Sequence, residues 1–239
     1  ISRLYGYDNF EDNLPSPLAP GKLNQIQKAE RKLRVSLCNA GLQEVTTFTL
    51  VPDEQKNMNM IAIKNPLLKE TSHLRTTLLT ELIKVGQRNI NSGKKSCWIY
   101  EIGHIFEKQK ENILQKQLLS GIISGEKRLE SWTTSGKPTR ISYYQARGIL
   151  ASSLMSLNLS ITDQPYNQSQ SELLHVGKSS NLILEGKKIG IFGQIHPSIA
   201  EEHNLPNETY IFELELTPIL SSATRKNKWN IIFKEYIST

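Results

Sequence analysis

Apolar residues recur at helical spacing near the start of the chain. Their positions between residues 23 and 40 are Leu23, Ile26, Leu33 and Leu37. Lys, Arg, Glu and Gln fill the positions between them, which predicts an amphipathic helix over 23–40. Gly41 follows directly, as expected for a left-handed cap at the helix C-terminus.

Two further apolar stripes predict two longer helices. The first stripe follows the turn at Asn65-Pro66 and consists of Leu74, Leu78, Leu79, Leu82 and Ile83. It stops before SGKK at 92–95, which reads as a turn. The second stripe lies in SYYQARGILASSLMSLNL and consists of Tyr144, Ile149, Leu150, Leu154 and Leu157. The sequence HPSIAEEHNL predicts one short helix with Pro197 at its first position.

Several segments are rich in β-branched residues or alternate between apolar and polar residues, and these predict strands. They are LQEVTTFTLV, SCWIYEIGHIFEK, QLLSGIISGEK, NLILEGKKIGIFGQI and YIFELELTPIL. The second and third are joined by a short polar connection, so they are predicted to be antiparallel neighbours. The fourth reads as a hairpin that turns at 185–188.

The order of these elements predicts an α+β domain, with a mainly antiparallel sheet and helices packed on it. A doubly wound parallel sheet needs a helical crossover between most strands, and the sequence lacks them. YDNFEDNLPSPLAPGK at 7–22 has the composition of a linker, and residues 130–140 have that of a polar loop.

Composition and charge narrow the picture only slightly. The net charge of +6 and the pI near 9.2 are compatible with a nucleic-acid partner, but equally with a solvated basic surface. The two cysteines are far apart, which favours a reduced compartment. No apolar run approaches the roughly 18 residues of a membrane span, and ISRLYGYDNF has no secretory signal pattern.

Common catalytic and metal motifs are absent from the sequence. Gly177-Lys178-Ser179 matches the second half of a phosphate-binding loop, but Glu172 stands where the first glycine is needed. His196 and His203 do not have the spacing of HExxH. There is no GxSxG, and neither cysteine has a histidine nearby in sequence. We therefore predict no catalytic residue and no metal site.

Arg75 and Glu101 are predicted to form an ion pair between a helix and a strand. Glu101 and His104 lie in one strand and point to opposite faces, so they do not form an acid–base pair.

A basic group with a nearby aromatic residue leaves two interpretations open. The group consists of Lys84, Arg88, Lys94 and Lys95, with Trp98 close by. Such residues can bind phosphates while an aromatic ring stacks on a base. Cations are also favoured at a helix C-terminus without any ligand.

Taken together, these segments resemble the β subunit of bacterial-type phenylalanyl-tRNA synthetases. The combination consists of NPL…LRT.LL, then EIG..F, then G.IG.FG..HP, and the resemblance covers nearly the whole chain. The resemblance implies a class II aminoacyl-tRNA synthetase-like antiparallel sheet flanked by helices. It also implies an α2β2 enzyme in which the α subunit carries the active site for attaching phenylalanine to tRNA(Phe).

The residues agree with a core that has lost this chemistry. An adenylating site needs fixed arginines against the ATP phosphates, one beside an acid on a strand and one at a glycine-rich junction. WIYEIGHIF has no arginine beside Glu101, and GIFGQIHPSIA has none either. We therefore expect no cofactor here, with ATP and magnesium used by the whole enzyme. Arg75, Glu101 and His196 are expected to be structural or at the subunit interface.

The resemblance also implies how the chain is divided. Residues 1–22 are expected to end a preceding domain and form a Pro-rich linker, and 23–222 to form the core. Residues 223–239 are expected to lead into an anticodon-binding domain. The expected location is the cytoplasm or the plastid stroma, and the expected partners are the α subunit and tRNA(Phe), with no membrane and no DNA. Two alternatives remain, a tRNA-binding module without an enzymatic role and a free-standing amino-acid ligase.

Overall fold

The structure, a computed structural model, describes residues 2–11, 20–53, 59–109, 112–127, 139–166 and 173–225. The α-helices are α1 (Ser2–Tyr5), α2 (Gln25–Asn39), α3 (Leu79–Asn91), α4 (Tyr143–Met155), α5 (Pro197–Glu202) and α6 (Leu216–Ala223). The strands are β1 (Gln43–Glu44), β2 (Leu50–Val51), β3 (Ile61–Ala62), β4 (His73–Leu74), β5 (Ser96–Gln109), β6 (Asn112–Gly125), β7 (Thr162–Pro165), β8 (Leu174–Leu184), β9 (Lys187–Ile195) and β10 (Thr209–Glu215). Two short 3-10 helices are Tyr7–Asn9 and Lys69–Thr71.

A seven-stranded sheet forms the centre of the molecule, in the order β1-β5-β6-β10-β9-β8-β7. Only the pairing of β1 with β5 is parallel; the other pairings in this sheet are antiparallel. β5 and β6 form a long hairpin, as predicted, and β10 lies between β6 and β9. A second, three-stranded sheet has the order β2-β4-β3. The α+β class and the mainly antiparallel pairing are confirmed.

One face of the large sheet, here called the α2 face, packs against α2, α4 and α6. Leu33 and Leu37 of α2, Leu150 of α4, and Phe192 and Phe212 of the sheet are in one buried apolar cluster. Capping boxes help to define where α2 and α4 begin. For example, Asn24 accepts a hydrogen bond from the backbone of Gln27, whose side chain accepts one from the backbone of Asn24. The pattern at 23–40 therefore predicts α2 within two residues at its start.

The opposite face, here called the α3 face, packs against α3 and α5. Leu78, Leu82 and Ile83 form a second buried cluster with Ile122 of β6 and Leu205. Gly86 of α3 faces the same strand: a Cβ atom there would lie 3.5 Å from the side chain of Ile122, an ordinary van der Waals distance. The predicted stripe is thus confirmed from Leu78 onward.

Two predicted turns have the backbone that their sequences require. Gly41 ends α2 with φ of 94°, as expected for a left-handed cap. The hairpin of β8 and β9 turns at Glu185 and Gly186, with φ of 50° and 78°. Two consecutive positive φ values are typical of the two-residue turn that matches the twist of a hairpin.

Three sequence predictions are corrected. The segment 42–51 is not one strand: β1 pairs with β5 while β2 pairs with β4 of the small sheet, so the chain changes sheets between them. Leu74 lies in β4 rather than in the helix. The strand predicted over 210–220 ends at Glu215, and α6 follows at once.

Periodicity also overstates which side chains are buried. Leu23 and Ile26 are about half exposed, and Tyr144 is 85% exposed. Residues 130–138 of the polar loop, half of the linker (12–19) and the tail after Arg225 lie outside the described residues. Among the described residues, no helix is both long enough and apolar enough to span a membrane.

Candidate functional site

A row of polar side chains crosses the α3 face at the centre of the sheet. Glu101 of β5 lies opposite Ser120 of β6, and Ser120 lies opposite Glu213 of β10. Directly opposed residues of antiparallel strands point to the same face. Glu101 and Ser120 are at most 2% exposed. The three side chains therefore place two carboxyl groups beneath the start of α3.

The carboxylate of Glu101 is bound by the guanidinium group of Arg75. Nη1 of Arg75 lies 2.8 Å from Oε1 of Glu101, and both side chains are at most 5% exposed. Thr47 joins the pair, since its hydroxyl donates to Oε2 of Glu101 at 2.7 Å and accepts from Nη1 of Arg75 at 2.8 Å. Nε of Arg75 donates to the carbonyl of His104 at 2.9 Å. The predicted ion pair is present, although Arg75 precedes α3 instead of lying in a helix.

Gly103 provides the space that the Arg75 side chain occupies. A Cβ atom at this position would lie 2.5 Å from Nη2 of Arg75 and 2.9 Å from Oε1 of Glu101. Real Cβ atoms do not approach other heavy atoms so closely. The glycine in EIGHIF is thus required by the ion pair that crosses it.

Among the described residues, no cation forms an ion pair with Glu213 as Arg75 does with Glu101; backbone and hydroxyl donors bind it instead. Its Oε1 accepts hydrogen bonds from the Thr77 hydroxyl at 2.8 Å, the Leu78 amide at 3.0 Å and the Ser120 hydroxyl at 3.0 Å. The residue at the N-cap of α3, Leu78, forms no side-chain cap. Glu213 therefore caps α3 from the central strand. The positive end of the helix dipole favours a carboxylate at this position.

Burial raises the pKa of Glu213 above its usual value, although its three hydrogen bonds act in the opposite direction. The charge of Glu107, two strands away on β5, raises that pKa further. Desolvation disfavours the ionised form of a carboxyl group, and a like charge nearby adds to the effect. Glu213 thus retains its proton to a higher pH than an exposed glutamate does.

A cleft of about 320 Å³ opens beside Glu213, between β5, β6, β10 and β9. Three carboxyl groups line it, from Glu107, Glu213 and Glu215, together with the ammonium groups of Lys116 and Lys188. Lys116 lies 3.3 Å from Glu215, so these two charges offset each other. No arginine is among the described residues that line this cleft.

Carboxyl groups outnumber ammonium groups in this cleft. Phosphoryl oxygens are held by fixed cations and backbone donors, with arginine favoured for its fork of N–H groups. Here the carboxylates outnumber the ammonium groups, and Arg75 is already bound to Glu101. Within the described ranges, no group of three or more His, Cys, Asp or Glu residues is arranged to hold a metal ion.

The predicted basic group lies at the end of α3 and in the turn that follows. Arg88, Lys94 and Lys95 are exposed, whereas the ammonium group of Lys84 lies 2.6 Å from Glu81. Trp98 is only 5% exposed and belongs to the core of the α2 face. The suggestion that this ring stacks on a base is therefore wrong, because no base can reach it.

His196 has a local structural role at the start of α5. Its Nδ1 accepts a hydrogen bond from the Ser198 amide at 3.3 Å and lies 2.6 Å from the Ser198 hydroxyl. Pro197 occupies the first turn, as predicted. This arrangement caps the helix, and whether His196 also contacts a partner subunit stays a prediction.

Sequence reasoning missed Glu213. In YIFELELTPIL the acidic residues alternate with apolar ones, which is typical of a strand with one solvated face. The face that carries Glu213 is instead covered by the start of α3. At the start of α3 the Thr77 hydroxyl accepts a hydrogen bond from the Leu79 amide at 3.1 Å, but the Leu78 amide is bonded to Glu213, and no pattern near Thr77 in the sequence points to that distant acceptor.

The fold is that of class II aminoacyl-tRNA synthetases. The structure matches that of a pyrrolysyl-tRNA synthetase, PylSc from Desulfitobacterium hafniense, with a TM-score of 0.59 over 81% of this chain and 64% of that one. Only 13% of the aligned residues are identical, so this likeness concerns the fold alone. The particular family follows from sequence: residues 12–216 match the model of the phenylalanyl tRNA synthetase beta chain CLM domain. The chain belongs to this family, as the resemblance in sequence predicts.

Individual relatives agree with the family model over nearly the whole chain. Phenylalanine–tRNA ligase beta subunits from two strains of Prochlorococcus marinus, SARG and MIT 9313, are 51% and 48% identical over 99% of this chain. The subunit from Parasynechococcus marenigrum is 47% identical over the same share. The chain spans only 28–29% of the length of these relatives, so it corresponds to one part of such a subunit.

Proposed function

We propose that this chain is the part of a phenylalanine–tRNA ligase β subunit that binds and supports the catalytic α subunit, without binding ATP itself. The proposal covers attachment of phenylalanine to tRNA(Phe) by the whole enzyme, an α2β2 heterotetramer. In it, ATP and magnesium are bound by α. Two findings support it: the chain belongs to the β-chain family, and its fold is that of an adenylating enzyme.

The observation that carries the proposal is the charge of the cleft on the α3 face. An ATP-binding site needs positive charge that is free to meet phosphate oxygens. Glu107, Glu213 and Glu215 line this cleft, and one of its two lysines is paired with Glu215. A scaffold of this fold with such a cleft contributes through its surface rather than through chemistry. Stable interfaces between permanent partners commonly bury more than about 2,000 Å².

Co-expression of the complete β subunit with an α subunit tests the proposal. We expect the two to co-purify, and sizing of the complex to give the mass of two α and two β chains. Calorimetry with ATP and with phenylalanine is expected to show binding to the complex but none to the β subunit alone. ATP–pyrophosphate exchange by the β subunit alone contradicts the proposal. Binding of an amino acid and a nucleotide to β alone favours the free-standing ligase instead.

The remaining organisation is part of the same proposal. Residues 1–22 end a preceding domain and form a linker, 23–222 form the core, and 223–239 lead toward an anticodon-binding domain. The enzyme works in the cytoplasm or the plastid stroma. Limited proteolysis of the complete subunit tests these boundaries, with cleavage expected in the Pro-rich linker that ends at residue 22 and near residue 223.

A second function, contact with tRNA, is favoured by the exposed cations at the end of α3. Arg88, Lys94 and Lys95 follow one another around the turn after the helix, and their side chains are open to solvent. Phosphate contacts of this kind release counterions, so binding weakens as salt increases. The proposal assigns the group to the tRNA backbone, where it would add affinity without reading sequence.

Charge reversal tests this contact. Lys94→Glu combined with Lys95→Glu is expected to weaken tRNA binding by the complex about tenfold or more at 50 mM salt, and to reduce the slope of log affinity against log salt by about 2. The matched control, Lys28→Glu with Lys32→Glu, makes the same charge change on the exposed side of α2. Equal losses in both double variants exclude a specific contact at α3.

A further inference from the structure

We propose that Glu213 couples the docking of α3 on the sheet to proton uptake. The start of the helix stays closed against β10 when this carboxyl group carries a proton. It opens more readily when the group is ionised.

The hydrogen bonds explain why the closed state accepts a proton. All three donors reach the same oxygen, Oε1. A protonated carboxyl group keeps one carbonyl oxygen as an acceptor and places its proton on the other oxygen. Protonation at Oε2 therefore leaves the bonds from Thr77, Leu78 and Ser120 intact. The helix start loses no contact when the group becomes neutral.

The surrounding charges explain why the ionised state is disfavoured. β5 contributes Glu107 and Glu101, β6 contributes Lys116, β9 contributes Lys188, β10 itself contributes Glu215, and the segment before α3 contributes Arg75. The positive charge of Arg75 is committed to Glu101, and that of Lys116 to Glu215. The negative charge of Glu107 repels ionised Glu213, and the loss of water on burial disfavours the ionised form as well.

Opening of the helix start relieves both effects, because it lets water reach the carboxylate. The sign follows from linkage. The pKa of Glu213 is raised in the closed state above its ordinary value of 4.5. The stability that the proton contributes is thus complete below the ordinary pKa and is lost as pH rises through the raised one. α3 carries Lys84 and Arg88, so the same step changes how firmly these cations are held.

Hydrogen exchange followed by mass spectrometry tests the coupling in the complete β subunit, purified with its α partner. The reporter is the peptide that covers residues 77–85, measured from pH 5 to pH 8 and corrected for intrinsic exchange chemistry. In the wild type we expect protection of these amides to fall with rising pH, by up to about tenfold per pH unit between the ordinary and the raised pKa. In Glu213→Gln, which mimics the protonated group, the corrected protection should not change with pH.

Two variants separate this coupling from a general effect. Glu215→Gln makes the same chemical change two residues away, on a side chain paired with Lys116, and should keep the pH dependence of the wild type. Glu107→Gln removes a charge that raises the pKa of Glu213 in the closed state, so the fall in protection should become smaller and end at a lower pH. The proposal is overturned if the wild type and Glu213→Gln give parallel profiles, or if Glu215→Gln alone abolishes the dependence.

Discussion

Glu101 and Glu213 lie on the same face of one sheet, on either side of Ser120, and differ in what binds them. Glu101 lies against a guanidinium group and a threonine hydroxyl. The donors that bind Glu213 in the described part of the chain are neutral, and one of them is the amide at the start of α3. The cation keeps one buried charge compensated, whereas the other carboxyl group has a raised pKa. A single sheet face therefore holds one carboxyl group bound to a cation and one whose pKa is raised.

The difference also separates two structural roles. The Arg75–Glu101 pair joins the segment before α3 to β5 and ties in Thr47, so it fixes three parts of the chain. Glu213 ties the helix start to β10 through bonds that survive a change in charge. The Arg75–Glu101 pair depends on both of its partners, whereas the bonds of Glu213 tolerate protonation. Variants at each site should reveal this contrast.

The largest expected effect comes from removing the cation. Arg75→Ala leaves Glu101 buried without a compensating charge, and we expect the free energy of unfolding to fall by about 3–5 kcal/mol. Urea denaturation followed by circular dichroism measures this change. Arg225→Ala is the control, since that side chain pairs with Glu185 at an exposed position, where a loss of under about 1 kcal/mol is expected. Equal losses at both positions contradict the assigned role.

A smaller loss is expected from crowding the same pair. Gly103→Ala places a methyl group where the guanidinium group lies, so Arg75 must move and its bonds to Glu101 and His104 must lengthen. We expect a destabilisation of about 2 kcal/mol, within the usual range for overpacking. Gly177→Ala is a matched control, because the nearest atom to its Cβ is 3.7 Å away on His175. If Gly103→Ala unfolds no more easily than this control, the close approach is not required.

Removing a donor from Glu213 should change the pH dependence more than the stability. Ser120→Ala deletes one hydrogen bond that lowers the pKa of Glu213, so that pKa should rise further. Stability at pH 8 should fall by about 1 kcal/mol, with a smaller loss at pH 5, where the carboxyl group is closer to neutral in both folded and unfolded chains.

Thermal unfolding of this variant over that pH range measures the difference. Ser124→Ala removes a buried hydroxyl from the same strand, where it is bonded to Thr209 at 2.7 Å. Its effect should not depend on pH. If the stability lost in Ser120→Ala is the same at every pH, then Ser120 is not bonded to a carboxyl group that titrates in this range.

The smallest expected effect lies away from the polar row and has the opposite sign. Gly148 is exposed within α4, and a Cβ atom there meets nothing within 4 Å. Gly148→Ala should stabilise the chain by about 0.5–1 kcal/mol, because alanine favours helices. Urea denaturation at pH 5 and pH 8 should give the same gain. If the gain varies with pH, then Gly148 is coupled to a titrating group other than Glu213.

Elements with a strong local signal can be predicted from the sequence. The period of the apolar residues and Gly41 predict α2, and long apolar runs with a short connection predict the β5–β6 hairpin. The residue types at Glu185-Gly186 predict the turn there. In each case the signal lies within the element itself, so no knowledge of distant parts of the chain is required.

Features that depend on distant contacts cannot be predicted in this way. The segment 42–51 has one strand-like composition, but its two ends pair with different sheets. Trp98 lies near a basic group in sequence yet packs in the opposite core. Glu213 alternates with apolar residues, as a solvent-exposed strand residue does, but the docking of α3 buries it. The pair of Arg75 and Glu101 is predictable, because an arginine and a glutamate that both lie within apolar segments are stable there when their charges compensate each other.

Glu213 caps a helix that begins 135 residues earlier in the chain. A ribosome synthesises a protein from its N-terminus, so the first turn of α3 emerges long before Glu213 does. During synthesis that turn has the nearby Thr77 hydroxyl, which accepts a hydrogen bond from the Leu79 amide at 3.1 Å, but it lacks Glu213 until β10 has emerged and taken its place between β6 and β9. The last strand of the sheet thus completes a helix from the first half of the chain, which sets a late step in the order of assembly.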